Sequence, residues 1–483
     1  MKKILLPILA LVLLLGVQAH AKPIHILVTG DMHGWLQPLT VDGSTLGGAA
    51  EMAAAWKDHE GYKPEDFLVL SAGDVATGPA LSTLYKGLPA VEVMNAMGYD
   101  ASALGNHEFD FGVDGLKALR KLAVFPFLAA NLQASGPTPW SPAAEPFCIL
   151  EKNGIKIGII GLITSELPPY DSLQATNYAE SIRTWAPKAR AAGAQVLLVL
   201  AHVPLNELRD MARDMADLNI PLMMGGHSHE LGQLREMNSG TWIVNSGEWW
   251  KAYSRIDLDY EAASGRTKVL ASKQVWLRQE HPRADPAVQA VVSRWRARLE
   301  GDPDYSRPLA YLAAPLTRPW GVLNFVCDAW AEMDPTSDVV LVNQHALRQD
   351  LPPGPLNRGT LVSLLPFDDK LLRVKMTGRQ LSKYLPKKAD QLMGMAGLSK
   401  KGRHFTLKKT GRKIDPKATY LVLVNDYMIA TSELLKAADP SPVLVANDWR
   451  DPILAWLKKH PSSEKKPLDP LLDLAPRIGP AAE

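Results

Sequence analysis

Gly105-Asn106-His107-Glu108-Phe109-Asp110-Phe111-Gly112 follows directly on a short apolar run at 101–104. An apolar run that ends in glycine and then presents an amide, an imidazole and two carboxylates is a strand opening into a turn that carries chemistry. The same construction recurs on both sides of it. Upstream, Gly30-Asp31-Met32-His33-Gly34 follows the run 24–29, and Ser71-Ala72-Gly73-Asp74 closes the run 67–71. Downstream, His202 ends the run 195–201, and Gly225-Gly226-His227-Ser228-His229 follows 221–224. Further runs lie at 127–130 and 156–162, and most are apolar on both faces, as buried strands are. Helical spacing lies between them around 47–59, 89–97, 113–122, 179–192 and 205–217. This alternation predicts an α/β fold. In an open α/β sheet the carboxyl ends of the strands share one edge, so these five polar segments are expected to meet there.

Each segment alone is weak. Asp-x-His is often a turn with a capping Asp, Gly-Asp is commonly just a turn, and a lone His202 reads as a satisfied strand-end histidine. Gly-His-Ser-His is more telling, because paired imidazoles are costly to bring together without a metal. Five such segments in compatible order change the balance, and five of the twelve histidines sit in them. Mixed oxygen and imidazole donors suit Zn, Mn, Co or Fe.

Working outward, Asn153-Gly154 and Asn238-Ser239-Gly240 read as hairpin turns, so part of the pairing is antiparallel. Strands near 241–245 and 252–260 precede a turn at Ser264-Gly265. A chain of 483 residues is too long for one core. The domain with the polar segments is expected over 22–283. A connecting helix over 284–302 carries Val288, Val291, Val292 and Trp295 at helical spacing. A second domain follows over 303–460, with strands at 339–342, 371–376 and 420–424. The proline-rich tail, 461–483, reads as extended or disordered, with a course along the surface as the alternative.

Composition narrows the class. Hydrophobic residues at 46% and charged residues at 22% describe an ordinary globular protein. Lys2 and Lys3, the apolar run 4–17 and Ala19-His20-Ala21 read as a signal peptide over 1–21, with Lys22 as mature start. The run is too short to span a bilayer. The expected destination is periplasmic or secreted, with no stable membrane anchor after cleavage. Without Lys2 and Lys3 the 53 basic residues become 51, equal to the 51 acidic ones, which speaks against a nucleic-acid partner. Cys148 and Cys327, the only cysteines, fall in different domains and are expected as unpaired thiols, a disulfide being the alternative.

In order and wording these blocks resemble the calcineurin-type metallophosphoesterase superfamily, and within it the bacterial 5'-nucleotidase and UDP-sugar hydrolase family, over about residues 24–260. The resemblance implies a four-layer αββα sandwich holding two divalent metal ions, with a second, smaller α/β domain. Residue by residue, it implies that Asp31, His33 and His229 hold one ion and that Asn106, His202 and His227 hold the other, with Asp74 bridging both. His107 and Asp110 match the family's catalytic pair, the imidazole over the phosphoryl group and the carboxylate orienting it. Glu108 is expected to be structural, and Trp249-Trp250 to pack in the core. Two ions roughly 3.5–4 Å apart suit in-line displacement at phosphorus, and phosphate monoesters need a large barrier reduction.

The second domain resembles the family's substrate domain only in outline. Asn343 and Arg348 stand where the family has an Asn and a phosphate-binding Arg, but Gln344, His345 and Ala346 replace the glycines between them. Leu365-Pro366-Phe367 matches a Pro-Phe block, with Asp368-Asp369 where Gly-Asn is usual. The later glycine-rich block is missing, and Ala430-Thr431-Ser432-Glu433 occupies its place. Arg348, Phe367 and Tyr427 are the substrate-side candidates. Tyr427 is suited to stack on a base, and no second ring of such a clamp is evident. The implied substrate is a small phosphorylated molecule, a nucleotide, UDP-sugar or 2',3'-cyclic nucleotide. Two other classes stay open: a thiosulfohydrolase-like sulfur-oxidation enzyme, and a metal-binding protein without catalysis.

Overall fold

The structure is a computed structural model and describes residues 23–41, 44–134, 144–167, 172–280, 282–385, 392–401 and 404–477. The expected signal segment lies outside the described residues.

Strand Ile24–Thr29 shows how the N-terminal domain is layered. Side chains alternate along a strand, so Ile24, Ile26 and Val28 face one way and Leu27 the other. All four are fully buried, because each side of the strand meets a different core. The first sheet orders its strands Arg266–Trp276, Ala252–Glu261, Ile24–Thr29, Phe67–Ser71, Ala101–Ala103 and Phe127–Leu128. The second runs Leu231–Arg235, Trp242–Ser246, Leu222–Gly225, Val196–Ala201, Ile155–Leu162 and Phe147–Lys152. Ile24, Ile26, Val28, Leu68 and Leu70 of one sheet pack on Ile157, Ile159, Leu198 and Leu200 of the other. Leu27 and Val69 meet helices Ala49–His59 and Leu88–Met97 on the outside. Ile160, Leu197 and Val199 meet helices Tyr178–Ala191 and Leu205–Arg213. The result is a four-layer αββα sandwich.

The strands that precede the polar segments are parallel within each sheet. Ile24–Thr29 pairs with Phe67–Ser71 and that strand with Ala101–Ala103, while Val196–Ala201 pairs with Leu222–Gly225. Their carboxyl ends therefore lie at one edge. The expected helix over 205–217 ends sooner, at Arg213, and a short 3-10 turn, Ala216–Leu218, precedes Asn219 with φ of 50°.

Helix Pro286–Glu300 starts where Asp285 accepts from the backbone N–H groups of Ala287 and Val288, with proline in the first turn. It buries Val288 and Val292 in the core of the first sheet, each worth roughly 1.5–3 kcal/mol. Trp295 Nε1 donates to Glu92 Oε2 at 2.8 Å, fixing the helix along the N-terminal domain.

The second domain is built on a sheet ordered Met393–Ala396, Val339–Asn343, Thr419–Asn425, Leu371–Thr377 and Val443–Ala446. Helices Trp320–Met333, Arg358–Leu364 and Asp451–Lys459 cover one face, and Gly378–Tyr384, Asp426–Ala430 and Glu433–Ala438 the other. The proline-rich end, as far as Arg477, is strapped to this domain. Leu468 is buried, Asp469 accepts from the N–H groups of Ala313 and Ala314, and Arg477 donates to Asp328 and to the Met395 carbonyl. Of the two courses open for this segment, the one along the surface is adopted. Cys148 and Cys327 are both unpaired, the first half-buried and the second buried.

Candidate metal centre and interdomain crevice

Three groups of side chains at the sheet edge place their ligand atoms within 4.8 Å of one another: Asp31 with His33 and His229, Asp74 with His202 and His227, and His33 with Asp74 and His107. Asp74 belongs to two of them. Its Oδ2 lies 3.0 Å from His202 Nε2, 3.6 Å from His33 Nε2 and 4.0 Å from His107 Nε2. Its Oδ1 accepts from the His107 backbone N–H at 2.9 Å. The structure thus brings together the residues singled out from sequence at this edge, with Asn106 between Gly105 and His107.

The backbone is bent to do so. Asp31, His33, Asp74, His227 and His229 have φ between 45° and 72°, a region non-glycine residues rarely adopt. Such strain persists where the surroundings over-determine a conformation, and it clusters at functional sites. Gly105 is required for a different reason: a Cβ there would stand 2.0 Å from Asp74 Oδ1.

The donor atoms face one another in a way that calls for a cation. His33 Nδ1 is 3.0 Å from the Thr77 carbonyl and His229 Nδ1 is 2.6 Å from Glu248 Oε2. A carbonyl or carboxylate only accepts, so both Nδ1 atoms carry the hydrogen. In the neutral rings the two Nε2 lone pairs then meet at 3.0 Å. His202 repeats the pattern, with Nδ1 2.8 Å from the Ala72 carbonyl and Nε2 turned to Asp74. Asn106 Oδ1 is buried with no hydrogen-bond partner. Burial works against charge on His202, yet Asp74 and Asp31 hold its pKa up to about 10. For Asp74, burial acts upward, but His202, His107 and His33 outweigh it and hold the carboxyl well below its ordinary range. Burial pushes Asp31 up to about 6. Positive charge is what this cluster lacks, and divalent ions among these donors fit it.

Three supporting groups complete the cluster. Glu108, fully buried, accepts from the backbone N–H groups of Asp74 at 3.1 Å, Val75 at 2.7 Å and Gly105 at 2.6 Å. It ties the Asp74 turn to the Asn106 turn, and burial pushes it up to about 7. Glu248 orients His229 and is itself held by Lys251 Nζ at 2.8 Å. Glu166 Oε2 approaches His227 Nε2 at 3.4 Å. Sequence reasoning assigned no role to Glu166 or Glu248. The signal for Glu248 was its place after strand Trp242–Ser246, which runs parallel to Leu222–Gly225. Trp250 is buried in the core, and Trp249, nearly so, stacks on Trp35 with ring centroids 4.6 Å apart.

His107 stands between this cluster and the second domain. Its Nδ1 is 2.8 Å from Asp110 Oδ2 and its Nε2 is 2.9 Å from Arg348 Nη2. A guanidinium only donates, so Nε2 accepts and Nδ1–H is given to Asp110. Burial disfavours its charge, but Asp110 and Asp74 outweigh that and raise its pKa. The Phe367 ring lies nearly parallel to the imidazole, centroids 5.5 Å apart and planes 23° apart. Arg348 Cζ lies 5.2 Å from the Phe367 ring centre, and its Nε is buried without a partner. Arg348 and Phe367 are therefore brought to the cluster. Tyr427 stays 53% exposed, close enough to Asp369, Arg348 and Asp110 for their charges to act on its hydroxyl.

The family description "Calcineurin-like phosphoesterase" matches residues 24–231, and "5'-nucleotidase, C-terminal domain" matches 313–437. The chain is 26% identical to endonuclease YhcR of Bacillus subtilis (strain 168) over 464 residues, 84% of this chain and 37% of that protein. It therefore spans little more than a third of that relative's length. It is 29% identical to the 5'-nucleotidase of Bos taurus over 434 residues, 78% of this chain and 74% of that one. Among solved structures, a 5'-nucleotidase precursor from Thermus thermophilus superposes with a TM-score of 0.79 at 23% identity, covering 95% of this chain and 99% of that one. The sulfate thiohydrolase SoxB has a TM-score of 0.69 at 19% identity, covering 90% and 94%. At these identities the structural likenesses speak to fold alone.

Proposed function

Because this chain belongs to the calcineurin-like phosphoesterases that carry a 5'-nucleotidase C-terminal domain, and is a phosphoester hydrolase by that membership, we propose that it hydrolyses phosphate esters or anhydrides of nucleotides outside the cytoplasm. The observation that carries this reading is the convergence of Arg348 and Phe367 from the second domain on His107, at the rim of the ligand cluster. Asp31, His33 and His229 would hold one divalent ion, Asn106, His202 and His227 the other, and Asp74 both. When bound, such ions supply Lewis-acid charge at the phosphoryl group.

The chain's own groups do the rest. Arg348, half-buried with its Nε buried and unpaired, offers donors to phosphoryl oxygens. Once the guanidinium turns to the phosphoryl group, His107 Nε2 is released beside it. Asp110 keeps the ring oriented and its pKa raised, so that Nε2 can hold a proton against developing charge. Phe367 and Tyr427 offer apolar faces for a base or another planar leaving group. The divalent ions are Zn, Mn, Co or Fe on the chemistry of the donor set.

Residues 1–21 support export to the periplasm or beyond, and no helix among the described residues is long and apolar enough to cross a membrane. Export predicts a mature N-terminus at Lys22, which mass spectrometry of the exported protein reads directly.

The functional test is a panel of p-nitrophenyl phosphate, its bis-ester, AMP, UDP-glucose and thiosulfate, each with Mn, Co or Zn and with chelator. Release of phosphate from AMP, or of UMP and glucose 1-phosphate from UDP-glucose, is expected, falling by on the order of 100-fold or more with chelator. Turnover of thiosulfate alone would replace the reading with a thiosulfohydrolase. Two bound ions without turnover of any ester would replace it with a binding protein. Glu248→Ala should weaken divalent-ion binding by roughly 10–100-fold in calorimetric titration, with partial recovery in Glu248→Gln, because His229 loses the carboxylate that orients it.

A further inference from the structure

The crevice carries one carboxylate with an oxygen that neither the fold nor the hydrolysis above uses. Of the adjacent pair Asp368-Asp369, Asp368 faces solvent and pairs with Arg450 at 2.9 Å. Asp369 is half-buried, and among the described residues no Lys, Arg or His comes within ion-pair distance of it. Its Oδ2 accepts from Asn425 Nδ2 at 2.5 Å, which leaves Oδ1 free to accept from a ligand. Asn425 is fully buried and its own Oδ1 has no partner.

Hydrogen bonds tie the loop at this group and just beyond it. Lys370 N–H donates to Asp426 Oδ1 and Asp426 N–H to the Lys370 carbonyl, both at 3.0 Å. Trp449 N–H donates to the Asp369 carbonyl at 3.0 Å. Asp369 thus lies in the same loop as Phe367, and near enough to Tyr427 and Asp110 for its charge to act on the first and to feel the second. Burial pushes its carboxyl up to about 7, a cost that a ligand's N–H donors would offset.

Resting on the nucleotide reading above, we infer that Asp369 reads the base, and that the preferred base presents two adjacent N–H donors on one edge, a 2-amino-6-oxopurine as in GMP. An ionised carboxylate only accepts. Guanine offers N1–H and the 2-amino group side by side. Adenine and cytosine set a ring-nitrogen lone pair next to the amino group, and uracil flanks its single N–H with two carbonyls. Only the guanine edge meets the carboxylate with donors alone. A site built to accept from such donors discriminates against bases that lack them.

The test compares kcat/KM for GMP, IMP, AMP and ribose 5-phosphate. The wild-type enzyme should prefer GMP over both IMP and AMP by roughly tenfold. Asp369→Asn should lower the GMP to ribose 5-phosphate ratio by roughly tenfold and raise AMP relative to GMP, because a carboxamide offers adenine one donor and one acceptor. Nucleotides preferred over ribose 5-phosphate, with a GMP to AMP ratio unmoved by Asp369→Asn, would overturn the role of Asp369 and leave the nucleotide reading intact. Ribose 5-phosphate turned over as well as the nucleotides would overturn the nucleotide reading itself. Should Asp369→Asn fail to fold, the wild-type GMP to IMP ratio still decides, since equal rates exclude reading of the 2-amino group.

Discussion

Asp74→Asn is expected to lower kcat/KM for any phosphate ester by on the order of 1,000-fold or more and to reduce the bound divalent ions from two to one or none. The carboxylate is 1% exposed, and its Oδ2 lies within 3.6 Å of both His202 and His33, which belong to opposite halves of the cluster. The carboxamide keeps the volume, and its oxygen can still accept from the His107 N–H. What it removes is the one negative charge common to both halves, and with it the offset to the two dications those halves would hold. Metal analysis of the purified protein, with a thermal melt to show that it is folded, reads both effects. Two ions and wild-type turnover in Asp74→Asn would sink the bridging role of Asp74.

His107→Ala should separate metal binding from turnover. The imidazole is committed on both nitrogens, to Asp110 at 2.8 Å and to Arg348 at 2.9 Å, and its approach to Asp74, at 4.0 Å, is longer than those of His202 and His33. Removing it leaves the other donors in place, so both ions should remain. Turnover should fall by roughly 10²–10⁴-fold, the range for loss of a positioned proton-transfer group together with its charge stabilisation. The variant also removes the ring on which Phe367 lies, so KM should rise as well. Loss of both ions would show His107 to be a ligand rather than a group acting on the substrate.

The N-terminal half was legible from sequence because its determinants are local. A strand apolar on both faces, followed by glycine and a ligand residue, carries its own instruction. Parallel pairing then collects the ends of such strands at one edge, whichever neighbours they take. That reasoning reached Asp31, His33, Asp74, Asn106, His107, His202, His227 and His229, and it left Glu108 as a structural residue, the part it plays in holding two turns together. Glu248 and Glu166 were not assigned, because an orienting carboxylate has no fixed spacing from the histidine it serves: Glu248 is nineteen residues from His229, and Glu166 comes from another strand end.

The second domain was less legible for the same physical reason. Helix Trp320–Met333 is apolar nearly all round, since it packs on several neighbours at once and shows no clean period. The tail looked detached because its prolines and few large apolar residues describe its composition but not its anchors, Leu468, Asp469 and Arg477.

The α/β class and the polar residues gathered at the strand ends could be read from the chain alone, because strand pattern and strand-end chemistry are properties of short segments. The approach of Arg348 and Phe367 to His107, and the pairing of Asp369 with Asn425 that leaves one oxygen over, could be seen only in the folded chain. The contacts to His107 join positions more than 200 residues apart, and packing between domains, not local preference, sets their distances.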